Sequence, residues 1–77
     1  NIMTPNGDGL NDLLIFKSLE FYADAHLTLF NRWGNKIYEN SAYKNDWNGA
    51  GHVDGTYFYI LQISGGETFK GFLLIVK

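Results

Sequence analysis

The chain has 77 residues, no cysteine, and six lysines and arginines against eight acidic residues, for a net charge of −2. At this length we expect a single domain, residues 1–77, that buries about 60% of its unfolded surface and has no disulfide to stabilise it. No basic run is present, which argues against nucleic acid as a partner. No apolar run approaches the roughly 20 residues that span a bilayer, so no transmembrane segment is expected.

The N-terminal part is dominated by a loop rich in asparagine and aspartate, residues 4–12. The apolar residues before Pro5 predict the end of a first strand, because the residue before a proline is held extended, and part of that strand is expected upstream of Asn1. Inside the loop, Gly7 and Gly9 allow the positive φ angles of a tight turn.

Two interpretations of this loop stay open. Its side chains either hydrogen-bond to nearby backbone N–H groups and make the loop rigid, or hold a structural calcium ion. The candidate calcium ligands are Asn6, Asp8 and Asp12. Ile15 stands where a sequential calcium loop carries its bidentate glutamate, so the match is partial. No cofactor is required by the rest of the sequence.

Short apolar and alternating runs predict the strands that follow. Residues 13–18 predict a strand and residues 19–25 a loop. Residues 25–31 and 35–40 predict a hairpin in which Gly34 takes a positive φ. A long irregular connection, residues 41–54, is expected to be anchored by two aromatic residues. These anchors are Tyr43 and Trp47.

The C-terminal part predicts two long strands, residues 56–64 and 68–77, joined by a two-residue turn at Gly65 and Gly66. Alternation assigns one face of each strand to the core. The expected core residues are Tyr57, Tyr59, Leu61, Ile63, Leu73 and Ile75. With five to seven strands and no helix, the pattern predicts an all-β fold: a small antiparallel β-sandwich of about seven strands, immunoglobulin-like or fibronectin-like.

The sequence offers little for catalysis. His26 and His52 have no nucleophile or motif around them, and glycine loops lack the strand-to-helix setting of a phosphate site. We therefore expect that the protein is not an enzyme.

Aromatic and apolar residues that are expected at the surface are better candidates for function. Trp33 lies at the hairpin tip beside Arg32; such a tryptophan usually folds back over an open core edge, but Trp and Arg also dominate protein contacts. Phe58 and Ile60 lie on the face opposite the expected core. They form an apolar patch that marks an interaction site or, if both faces of the sheet are covered, belong to the core. The last strand, with Leu74 and Lys77, could pair with a partner's strand.

Five motifs, in order and over nearly the whole chain, resemble one family. They are TPNGDGLND (4–12), LFNRWGNKIYE (29–39), NDWNG (45–49), DGTYFY (54–59) and GFLLIVK (71–77). The sequence resembles the gliding-motility-associated C-terminal domain, the type B C-terminal sorting domain of the type IX secretion system. The chain departs from the family pattern at Met3, Asn48, His52-Val53 and Lys77, where the family usually has Phe, Asp, Leu-Pro and Arg.

The resemblance implies a folded secretion signal that carries large adhesins and surface enzymes from the periplasm to the cell surface or medium. Its implied partners are protein components of the outer-membrane translocon, and we expect the domain to be a monomer. Trp33 and the tyrosines suggest an alternative function, a carbohydrate- or calcium-dependent binding module of a surface adhesin.

Overall fold

A single five-stranded β-sheet forms the body of the chain in the computed structural model, which describes residues 2–3, 12–17, 19–22, 24–49, 51–63 and 66–76. The elements are β1 (Ile2–Met3), a short 3-10 helix (Leu19–Phe21), β2 (His26–Phe30), β3 (Lys36–Asn40), β4 (Gly55–Gln62) and β5 (Thr68–Ile75). Across the sheet their order is β1-β5-β4-β2-β3. All neighbours are antiparallel except β1 and β5, which are parallel. The all-β, mainly antiparallel prediction is confirmed.

Strands β2 and β3 form the predicted hairpin. Asn31 holds the loop closed: its Oδ1 accepts hydrogen bonds from the backbone N–H groups of Trp33 and Asn35, each at 3.0 Å. Gly34 has a φ of +84°, as the hairpin prediction requires. The register of β2 against β3 shifts between Leu29 and Phe30. This shift is a β-bulge, which bends the strand at this edge of the sheet.

One face of the sheet carries the core. Its buried strand residues are Leu27, Leu29, Tyr57, Leu61, Leu73 and Ile75. This confirms the face predicted for β4 and β5, although Tyr59 and Ile63 are only partly buried against the cluster. Alternation works here because one side of the sheet is apolar and covered, so every second residue is removed from water.

Among the described residues, irregular segments and not a second sheet cover this inner face. The Tyr43 hydroxyl donates to the Leu14 carbonyl at 2.6 Å and accepts from the Trp47 N–H at 3.1 Å. The Leu14 N–H donates to the Trp47 carbonyl at 2.9 Å, and the Phe16 N–H donates to Asn45 Oδ1 at 2.8 Å. The predicted anchors Tyr43 and Trp47 are confirmed as buried residues.

Several details of the prediction need correction. The described part of residues 13–18 is not a strand, because its hydrogen bonds go to a loop and to side chains instead of a ladder. A 3-10 helix replaces part of the loop predicted at 19–25. The sandwich of about seven strands is not confirmed, since the described residues form one sheet.

The hairpin between β4 and β5 closes one residue wider than the predicted two-residue turn. The Ile63 N–H donates to the Glu67 carbonyl at 2.8 Å, and Gly66 has a φ of +97°. Ser64 and Gly65 lie outside the described residues. Strand β5 ends at Ile75 and is not the sheet edge along its whole length, because Leu74 and Ile75 pair with β1.

Candidate functional site: an exposed aromatic face

The face of the sheet opposite the core carries a row of three phenylalanines on adjacent strands. Phe30 of β2 lies opposite Phe58 of β4, which lies opposite Phe72 of β5. Phe58 is 45% exposed and Phe72 is 62% exposed, while Phe30 is half-buried. Half-buried Ile60 and Leu74 lie on the same face. We call this set the outer apolar face: Phe30, Phe58, Ile60, Phe72 and Leu74.

The row follows from strand geometry. Successive side chains alternate between the two faces, so the neighbours of buried core residues in β2, β4 and β5 point outward. Antiparallel register then brings the three rings to the same level of the sheet, where opposite side chains on neighbouring strands are close enough to pack. Because exposed apolar patches are often interaction sites in proteins, this face is the candidate functional site.

Sequence reasoning identified part of this face. Phe58, Ile60 and Leu74 were predicted as partner-contacting residues, and the structure brings them together. Phe30 and Phe72 were missed, although their alternation with buried Leu29 and Leu73 was a usable signal. Their alignment with Phe58 depends on the pairing register, which the sequence does not show. Lys77, also predicted as a contact, lies outside the described residues.

Arg32 and Trp33 lie at the β2–β3 hairpin tip, directly after Phe30. Trp33 is 73% exposed, so the expectation that it folds back over the core is wrong. The Arg32 guanidinium carbon lies 4.6 Å from the centroid of the Trp33 ring, a cation–π contact at the surface. Asn31 fixes the loop backbone. The two side chains line a groove of about 280 Å³ together with Ile37 and residues 51–57.

Charged residues border the outer face along β2 and β3. Glu39 Oε1 accepts from Lys36 Nζ at 2.8 Å, and Glu39 Oε2 lies 2.6 Å from His26 Nε2. The hydrogen bond from Lys36, followed by the one with His26, lowers the pKa of Glu39 below its ordinary value. All three groups are at least partly solvent-exposed, so this cluster defines a polar rim and adds little stability.

Catalytic and metal-binding groupings are not assembled in the described part of the chain. His26 belongs to the ion pair on β2, while the His52 ring packs between Trp47 and Tyr57, at 5.6 and 6.1 Å between ring centroids. No three His, Asp or Glu side chains among the described residues are placed to hold a metal ion. Of the predicted calcium ligands, Asp12 is half-buried, and Asn6 and Asp8 lie outside the described residues.

An all-β domain with an open aromatic face fits the class of protein-recognition modules. The chain belongs to the CHU_C type IX secretion signal domain family, whose family model matches residues 1–75. This match confirms the predicted family resemblance. Searches of curated proteins and of solved structures gave no match. Membership implies interaction with the type IX secretion machinery and export to the cell surface or medium. No helix in the described ranges is long and apolar enough to cross a membrane.

Proposed function

We propose that this domain is a non-enzymatic C-terminal signal that directs a large cargo protein from the periplasm through the type IX outer-membrane translocon. The observation that carries this proposal is the family match over residues 1–75. The structure adds a folded sheet with an exposed aromatic surface, which suits recognition by a protein.

We place recognition on the outer apolar face. Transfer of an exposed phenylalanine into an apolar contact is worth about 1.5–3 kcal/mol when burial is complete, and Phe58 and Phe72 have about half or more of that surface still to bury. Aromatic anchors at the centre of an interface carry most of its binding energy. The pair Arg32 and Trp33 lines a separate groove beside residues 51–57 and offers a second surface for a partner.

A translocon protein is the occupant that this surface fits best. The polar rim of His26, Lys36 and Glu39 limits the apolar area along β3, and a protein partner is what a secretion signal requires. Such a partner would supply the second layer that the sheet lacks among its described residues. We expect the isolated domain to be a monomer, and a dimer that buries Phe58 and Phe72 would assign the face to a second copy of the chain.

Export of a reporter tests the function directly. The 77 residues are fused to the C-terminus of a monomeric fluorescent protein that carries a signal peptide for the periplasm. The fusion is expressed in a gliding bacterium with and without its type IX machinery. We expect the reporter at the cell surface or in the medium only when the machinery is present. Retention of the reporter in the periplasm of the intact strain would contradict the proposal.

The alternative of a carbohydrate- or calcium-dependent adhesin module receives no support from the family match. Glycan-array binding by a domain that is not exported would favour this alternative over the signal.

A further inference from the structure

We propose that a groove at one end of the sheet binds a segment of the recognising translocon protein that carries a carboxylate close to an apolar side chain. We call it the hairpin groove, because one of its walls is the tip of the β2–β3 hairpin. It is lined by Asn31, Arg32, Trp33, Ile37 and residues 51–57. This inference rests on the proposed function and deepens it, because it names the chemistry of a second contact with the partner.

The hairpin groove lies where β2 ends and β4 begins. Phe30 at the end of β2 pairs with Phe58 near the start of β4, so the hairpin tip and the loop before Gly55 lie at the same end of the sheet. Its apolar lining borders the core, since Tyr57 is buried and Ile37 packs against the core cluster. The volume is about 280 Å³, just below the range of about 300–1,000 Å³ typical of small-molecule pockets. The groove therefore suits a few side chains of a larger partner.

Hydrogen bonds hold both walls of the groove in place. On the hairpin side, Asn31 Oδ1 accepts from the backbone N–H groups of Trp33 and Asn35, each at 3.0 Å. On the other side, the Tyr57 hydroxyl donates to the Val53 carbonyl at 2.6 Å and ties the loop to β4. A site whose walls are already ordered loses less conformational entropy when a partner binds. The groove is therefore organised for binding before the partner arrives.

Arg32 gives the groove a positive charge that no described carboxylate neutralises. Within the described part of the chain, Glu39 forms ion pairs with Lys36 and His26, and Arg32 forms none. Asp54 also lines the groove and has an interaction of its own. The arginine side chain carries five N–H donors in a planar fork, and this fork matches the two oxygens of a carboxylate. A carboxylate is thus the group that complements Arg32.

The Trp33 ring positions this charge. The guanidinium carbon of Arg32 lies 4.6 Å from the ring centroid, and this cation–π contact holds the side chain beside the ring. Because the guanidinium covers that face of the indole, the face is closed to the stacking of a sugar ring. A carboxylate bound to Arg32 would instead bring a neighbouring apolar side chain against Trp33 and Val53, which are 73% and 76% exposed.

These features define the chemistry of the partner segment. It contains an aspartate or glutamate whose carboxylate reaches Arg32, and close to it in sequence an apolar residue that contacts Trp33 and Val53. A protein fits better than an anionic lipid surface, because such surfaces are bound by clusters of lysines and arginines. Among the described residues that line the groove, Arg32 is the one lysine or arginine. Tryptophan and arginine together are also typical of the centres of protein interfaces.

Charge reversal at Arg32 tests the contact with a matched control. In the reporter fusion, we expect Arg32→Glu to lower export at least about tenfold, because it replaces a charge-assisted hydrogen-bond donor with a like charge. Arg32→Lys keeps the charge and loses the planar fork, so a smaller loss of about threefold is expected. Lys44→Glu makes the same change in net charge at an exposed lysine outside the groove, and its export should stay within about twofold of the unchanged domain. Circular dichroism first establishes that each variant folds.

Peptide binding to the 77-residue domain supplies a readout independent of export. The probe is the tripeptide Leu-Asp-Leu with both ends capped, and Leu-Asn-Leu is its uncharged control. At about 10 mM, a concentration suited to a single weak contact, we expect the aspartate peptide to shift the NMR signals of the Arg32 side chain and of the Trp33 indole N–H. The asparagine peptide should leave these signals unchanged, and so should the aspartate peptide when it is added to Arg32→Glu.

Three results would overturn the proposal. Undiminished export of folded Arg32→Glu would show that no carboxylate of the translocon binds Arg32. Equal shifts from the two peptides, or none from either, would show that the groove does not select a carboxylate. Binding of the domain to phosphatidylglycerol vesicles that Arg32→Glu abolishes would assign Arg32 to lipid phosphate. Failure of the unchanged fusion to be exported would instead contradict the proposed function, while the peptide result would stand, so the two failures are distinguishable.

Discussion

Among single residues, Tyr43 makes the most direct connection between the irregular segments that cover the core. Its buried hydroxyl donates to the Leu14 carbonyl and accepts from the Trp47 N–H, at 2.6 and 3.1 Å, and so joins two segments far apart in sequence. Burial raises the pKa of Tyr43 to about 12, against an ordinary value of 10.0. A raised folded-state pKa means that the folded protein binds this proton more tightly than the unfolded chain.

Tyr43→Phe is predicted to destabilise the domain at neutral pH by about 1–3 kcal/mol, because the Leu14 carbonyl and the Trp47 N–H lose a partner in a buried place. Denaturant unfolding monitored by tryptophan fluorescence measures this change. Tyr22→Phe, which alters a more exposed tyrosine, is the control and should have a small effect. Equal stability of Tyr43→Phe and the unchanged domain would contradict the role assigned to this hydroxyl.

The raised pKa of Tyr43 also predicts a dependence on alkaline pH. Its contribution to stability is fully present below pH 10.0 and is lost as the pH rises toward about 12. The free energy of unfolding should therefore fall more steeply across this interval in the unchanged domain than in Tyr43→Phe. Urea titrations at several alkaline pH values make the comparison, and parallel curves for the two proteins would rule out the linkage.

At the level of secondary-structure elements, the β2–β3 hairpin depends on one side chain in its loop. Asn31→Ala removes the acceptor for the Trp33 and Asn35 N–H groups and is predicted to cost about 1–2 kcal/mol. Asn35→Ala is the control, because Asn35 contributes its backbone rather than its side chain to these two bonds. Thermal melting followed by circular dichroism measures both variants, and an equal Tm for the two would show that the Asn31 side chain is unimportant.

The elements differ in how well the sequence predicts them. The hairpin was predicted because alternation and Gly34 are local signals. Residues 13–18 were wrongly predicted as a strand, since their hydrogen-bond partners, Tyr43, Asn45 and Trp47, lie about thirty positions along the chain and leave no local pattern. The phenylalanine row was only partly predicted for a related reason: alternation gives the face of each residue, but register decides which residues from different strands meet.

The N-terminal loop remains a prediction from sequence, since Asn6 and Asp8 lie outside the described residues. Ile15, at the position where a calcium loop has its glutamate, is 58% exposed. We expect the rigid-loop alternative, with the same Tm in calcium and in chelator. A site with a Kd of about 1 mM would add about 1.4 kcal/mol at 10 mM calcium, or several degrees in Tm. A rise of that size, abolished by Asp8→Asn, would establish the calcium site instead.

At the level of the whole molecule, the sheet has one covered face and one open face. Loops close the inner side over the core, while Phe58 and Phe72 remain exposed on the outer side. If the folded domain is the export signal, as we propose, these exposed rings are available for contact with a partner. The proposed function therefore assigns the open face to binding instead of to stability.

The most direct test of this assignment is export of a reporter fused to the Phe58→Ser, Phe72→Ser double variant. Phe21→Ser is the matched control, because Phe21 is 77% exposed but lies on the 3-10 helix, whose Leu19 packs in the core cluster on the other face of the sheet. Both proteins must first be shown to fold, by circular dichroism and thermal melting. We predict that the double variant loses at least about tenfold in machinery-dependent export, as expected for two aromatic contacts worth more than about 1.4 kcal/mol together. The control should be exported as well as the unchanged domain. Export of the folded double variant at the unchanged level would contradict the account.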